Sequence, residues 1–159
     1  MPSQVLTAQD ITGPWVNFLR AHAAVTRQLS ARLEAAHGLT LSDFDVLVQL
    51  YYAPERSLRR VDIARAVLLT ASGITRLLDG LERAGWVEKR ACETDARVSY
   101  AVLTDAGLEK FEAARRSHLA DVEQLFGSRF SDEERELLAE LLGRLPQAET
   151  SAGCTTDCE

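Results

Sequence analysis

The feature that most constrains this chain is the stretch 57–103, SLRRVDIARAVLLTASGITRLLDGLERAGWVEKRACETDARVSYAVL. A short helical segment at 60–66 precedes a second one, which Thr70 is placed to cap and which runs to about Ala84, where Gly85 allows a left-handed exit. Segments 86–91 and 97–103 then carry β-branched and aromatic residues in partial alternation around a polar loop of Cys92, Glu93, Thr94, Asp95 and Ala96, the pattern of a hairpin. Helix, turn, helix and hairpin in this order make a winged helix-turn-helix. Its second helix fits the DNA major groove, and its hairpin reaches the backbone or minor groove.

The net charge of −6 argues against a polyanion partner until its distribution is considered. Residues 1–55 hold 3 basic and 5 acidic side chains, residues 56–97 hold 9 and 6, and residues 98–159 hold 6 and 13. Positive charge is concentrated in the segment that would face phosphate. At 159 residues, 46% of them hydrophobic, the chain has the size of one domain spanning 1–149, with a polar tail expected at 150–159. The start MPSQVLTAQD has neither the basic nor the apolar part of a signal segment, and no apolar run is long enough to span a bilayer, so a cytoplasmic protein without membrane contact is expected. Three cysteines, Cys92, Cys154 and Cys158, do not make a disulfide framework.

Both ends of the chain read as long amphipathic helices. Ile11, Trp15, Phe18, Leu19, His22, Val25, Leu29 and Leu33 recur at helical spacing; Pro14 fits only the first turn, which places the start near Asp10 or Thr12, and Gly38 ends the helix. A second helix, with Ser42 as its cap and Asp45 three residues on, carries Phe44, Val46, Leu47 and Leu50 and stops at Ala53-Pro54. Ser57-Leu58 reads as an extended link. Thr104 caps a fifth helix with Leu108, Phe111, Leu119, Val122 and Leu125 on one face. Ser131 and Glu134 form a capping box for a sixth, which carries Leu137, Leu138, Leu141, Leu142 and Leu145. The predicted architecture is mainly α with a small β-hairpin wing. It has a winged lobe at about 40–103 and a helical dimerisation region built from both termini, at about 10–37 and 104–145. These helices offer more apolar surface than a lobe of this size covers, which points to a homodimer and hence a palindromic DNA site.

Candidate DNA contacts follow from this placement. Thr70, Ala71, Ser72, Gly73, Thr75, Arg76 and Asp79 occupy the cap and first turns of the recognition helix, where small residues permit close approach and Arg76 reaches guanine or phosphate. In the wing, Arg97 suits a narrow minor groove, Asp95 is placed to hold its guanidinium, and Arg90 lies close by. Arg59, Arg60, Arg65 and Lys89 are further cationic candidates. No glycine-rich phosphate loop or nucleophile motif is present, and His22, His37 and His118 are scattered, so no enzyme activity, cofactor or metal is expected.

From 39 to 107 the chain resembles the MarR family of bacterial transcriptional regulators. The resemblance rests on LTLSDFDVLVQL, on VDIARAVLLTASGITRLLDGLERAGWVEKR, and on Asp95-Ala96-Arg97 followed by LTDAG. It implies a homodimer whose terminal helices interlock and whose two winged lobes bind double-stranded DNA, usually as a repressor released by a small aromatic or phenolic acid. For such an effector, Trp15, Leu19, Arg20 and His22 of the first helix and Phe44 and Leu47 of the second are the candidate lining, with Arg20 as the carboxylate partner. Two departures reduce the positive face: Ala96 and Gly80 stand where relatives frequently carry basic residues. They leave open an alternative, a winged-helix protein-interaction module with weak or no DNA binding. Oxidation sensing would have to use Cys92, whose neighbours Arg90 and Glu93 do not obviously favour a thiolate.

Overall fold

Local capping chemistry sets most of the element boundaries in the computed structural model, which describes residues 12–67, 71–92, 95 and 97–146. The first helix, α1, is Thr12–His37, closed by Gly38 at φ +65° with its N–H on the Glu34 carbonyl. The second, α2, is Leu41–Tyr52 and begins two residues earlier than Ser42 would have set it. Thr40 is the cap: its hydroxyl accepts from the Asp43 N–H at 3.1 Å and the Asp43 carboxylate accepts from the Thr40 N–H at 2.8 Å. This reciprocal box satisfies two end donors at once, more than a cap at Ser42 would.

Pro54–Arg56 forms a 3-10 turn in which Glu55 and Arg56 both take positive φ, turning the chain into β1, Ser57–Arg59. The expected extended link is thus a strand. It is followed by α3 (Arg60–Ala66), α4 (Ala71–Arg83), β2 (Val87–Ala91), β3 (Ser99–Leu103), α5 (Asp105–Leu125) and, after a 3-10 turn, α6 (Asp132–Gly143). The sheet is antiparallel in the order β1-β3-β2, with Leu58 opposite Ala101 and Lys89 opposite the same residue on the other side. Thr70, the expected cap of α4, and the expected tail at 150–159 lie outside the described residues.

The core gathers Leu33 of α1, Val46, Leu47 and Leu50 of α2, Ile63 of α3, Leu78 and Leu81 of α4 and Phe111 of α5. An aromatic column joins α2 to α5: Tyr51 lies on Phe111 at 4.7 Å between ring centroids, Phe111 on Phe44 at 5.5 Å, and Phe44 on His118 at 4.6 Å. Polar pins fasten α1 to α5, with Arg32 donating to Asp121 and Gln124 at 2.6 Å each and His37 bonded to Ser117 at 2.6 Å. The buried side of α5 is Gly107, Phe111 and Ala114, not the line through Leu119 read from the sequence. Leu119 sits about 100° around the helix from His118 and is 55% exposed.

The passage from wing to α5 is tightly built. Thr104 donates its hydroxyl to the Gly85 carbonyl at 2.7 Å and accepts from the Gly107 N–H at 3.0 Å, while its own N–H bonds the Trp86 carbonyl. Gly107 lies so close beneath that a Cβ would overlap the Trp86 carbonyl oxygen. Lys110 then covers the Trp86 ring at 4.8 Å. Gly80 of α4, by contrast, has nothing within 4 Å of a prospective Cβ. We therefore expect Gly107→Ala to lower unfolding stability by about 1–3 kcal/mol through overpacking. Gly80→Ala should raise it by about 0.5–1 kcal/mol through helix propensity. Urea unfolding midpoints of the two variants check both signs.

Candidate nucleic-acid interface

The recognition helix is oriented by its apolar stripe. Ile74, Leu78 and Leu81 of α4 are buried, and at 100° per residue Arg76 stands on the opposite, solvent side. Gly73, Thr75 and Arg76 are all exposed, and Ala71 and Ser72 fall in the first turn of α4. The wing projects from the core: only Val87 of β2 is buried, and Glu88, Lys89, Arg90 and Ala91 face solvent in succession. Partial alternation in the sequence reflects this, since a strand solvated on both faces has no inner side to pattern.

At the wing tip the structure corrects the role expected for Asp95. Its carboxylate accepts from the backbone N–H of Arg97 at 2.9 Å and its carbonyl from the Val98 N–H at 3.0 Å, so it shapes the turn. A short carboxylate reaches its own backbone two residues on more readily than a mobile guanidinium. Arg97 is exposed, and neither it nor Arg76 has an ion pair among the described residues. Arg90 pairs with Glu88 at 3.1 Å across two exposed side chains, a weak contact that phosphate can replace.

Asp79 and Arg60 also depart from expectation. Asp79 does not stand free toward a groove: its carboxylate accepts from Arg60 at 3.3 Å, and Glu82 accepts from the same guanidinium at 3.0 Å. Arg60 is thereby committed to α4 and withdrawn from the cationic set. The i, i+3 carboxylates on α4 were visible in the sequence, but their partner lies 19 and 22 residues away. Arg65 pairs at 3.7 Å with Asp62, the buried carboxylate of α3.

The expected effector lining does not come together within the chain. Phe44 and Leu47 are spent on the core, Phe44 between Phe111 and His118, and Leu47 fully buried. Trp15, Leu19, Arg20 and His22 lie on the exposed half of α1, where Trp15, Phe18 and His22 stack in a row at 6.2 and 6.3 Å. His118 of α5 is seated against Phe44, a contact that its sequence position does not disclose. Its Nδ1 is buried without a hydrogen-bond partner among the described residues, and burial pulls the imidazole below its ordinary value of 6.5, opposed by the nearby Asp121 carboxylate. Cys92 is buried at the base of the wing tip. Among the described residues no group of His, Cys, Asp and Glu is placed to hold a metal ion, and no helix is long and apolar enough to cross a membrane.

The chain is similar to known proteins in sequence and in fold. A family model described as "MarR family" matches residues 37–98. The uncharacterized HTH-type transcriptional regulator YdgJ of Bacillus subtilis is 31% identical over 76% of this chain and 72% of its own. The HTH-type transcriptional repressor YetL of the same organism is 32% identical over 70% of this chain and 66% of its own. The crystal structure of Sco3205, a MarR family transcriptional regulator from Streptomyces coelicolor in complex with DNA, superposes with a TM-score of 0.80 and 28% identity over 90% of this chain and 88% of that one.

His118 gives the packing of α2 against α5 a pH signature. Its folded-state value is depressed, so its contribution to stability is full above about pH 6.5 and is lost as pH falls through the folded value, where the unfolded chain binds the proton more readily. Between pH 7.5 and 5 the wild type should lose more of its urea midpoint than His118→Phe; parallel loss in both proteins would assign the pH dependence elsewhere.

Proposed function

The chain belongs to the MarR family of transcriptional regulators, and from that premise we propose that it is a cytoplasmic, homodimeric repressor that binds a pseudopalindromic site on double-stranded DNA. The observation that carries the reading is the pair Arg76 and Arg97: two exposed guanidiniums without an ion pair among the described residues, one on the solvent side of α4 and one at the tip of a projecting wing, in the single net-basic segment of an acidic chain. Gly73, Thr75 and Arg76 read the major groove, with Thr70, Ala71 and Ser72 leading into it. Arg97 enters the minor groove, Arg90 meets phosphate, and Asp95 fixes the turn that presents them. The repressor role is supported by likeness to YetL.

Dimerisation is supported by unspent apolar surface at both ends of the chain. Trp15, Phe18 and Leu19 of α1, Leu119 of α5 and Leu137 and Leu141 of α6 are 40–57% exposed, and α6 buries no residue within its own protomer. A small aromatic or phenolic acid would release DNA by binding more tightly to a lobe spacing unsuited to the operator. Its lining would be completed across the dimer, where Trp15, Leu19, Arg20 and His22 meet the partner.

Selection from random duplexes of about 30 base pairs, long enough for two half-sites, supplies the DNA probe. Wild-type protein should bind the recovered duplex with a steep negative salt dependence, and Arg97→Ala should weaken binding and make the slope shallower by about 0.9. Weak, salt-insensitive binding would favour the protein-interaction module instead. Sedimentation should give a dimer at micromolar concentration, and Leu141→Asp should shift it toward monomer; a monomeric wild type would overturn the assembly.

A further inference from the structure

We infer that Arg60 is a specificity-determining positioning residue, which sets the rotation of α4 in the groove without itself touching DNA; this rests on the DNA-binding reading of α4. Arg60 is the first residue of α3 and follows β1 directly, and β1 is paired along its length with β3, the inner strand of the wing. Its side chain is only 18% exposed, and its two Nη atoms divide between Glu82 at 3.0 Å and Asp79 at 3.3 Å, carboxylates three residues apart on α4. A guanidinium held at two points is a fork that resists rotation, whereas the apolar stripe of Ile74, Leu78 and Leu81 is non-directional. Turning a helix by roughly 20° moves a side-chain tip about 6 Å from its axis by roughly 2 Å, more than a bidentate base contact tolerates. The clamp therefore references the groove-reading face of α4 to the same sheet that carries Arg97.

The fork also brings one positive charge to two carboxylates of the groove-reading helix, an effect on all DNA alike, so the test must separate charge from orientation. The duplex selected by wild-type protein and a scrambled duplex of the same length and composition serve as probes, at several salt concentrations. Arg60→Ala should lose about tenfold or more on the selected duplex and less than about threefold on the scrambled one, with an unchanged salt slope. Asp79→Asn with Glu82→Gln removes the clamp from the other side while adding positive charge; it should bind scrambled DNA as well or better and still lose its preference. Equal losses on both duplexes, a salt slope shallower by about 0.9, or an unchanged preference in the double variant would overturn the inference. A wild type that selects no duplex would instead overturn the DNA-binding reading beneath it.

Discussion

The contact on which the structure turns is the close approach of α5 to the α4–β2 corner. Gly107 packs under the Trp86 carbonyl, and Thr104 ties the end of β3 to Gly85 while capping α5. A helix that enters a fold through so short a connection has little freedom of direction, because its capping residue Thr104 bonds the neighbouring corner through both its N–H and its hydroxyl. The winged lobe and the 21-residue α5 consequently behave as one piece at their junction. Arg32 and His37 extend this rigidity to α1 through Asp121, Gln124 and Ser117.

Orientation within the lobe has a second source, and it is electrostatic. Acidic side chains of the net-basic segment are engaged by neighbouring cations, Asp79 and Glu82 by Arg60, Asp62 by Arg65 and Glu88 by Arg90. These pairs leave the net charge of the segment unchanged; what they set is which cations, Arg76 and Arg97 among them, stay without an ion pair among the described residues.

Much of this was legible in the chain itself, for reasons that differ by element. The helix at 60–66, the exit at Gly85 and the caps at Thr104 and Ser131 depend on local backbone chemistry, which a sequence states directly. The cap of α2 was misplaced because Thr40 and Ser42 are both competent caps, and only the reciprocal bond from Asp43 decides between them. β1 reads in the sequence only as an extended link because three residues give no period and the strand exists by pairing with β3, some 40 residues on. Non-locality also hid the Arg60 fork and the seating of His118 against Phe44. Phe44 and Leu47 were assigned to a crevice because an apolar residue on α2 looks the same in a sequence whether it lines a pocket or fills a core.

The wing, in which Val87 alone of β2 is buried, has an evolutionary consequence. Four successive residues at 88–91 can exchange charge, size or reach without opening a cavity, because all four are exposed. Substitution at Gly107 meets backbone at once. A lineage built on this plan can drift toward new DNA sites along its hairpin while its scaffold stays fixed, so relatives should diverge fastest where they touch their targets and slowest at a glycine that touches none.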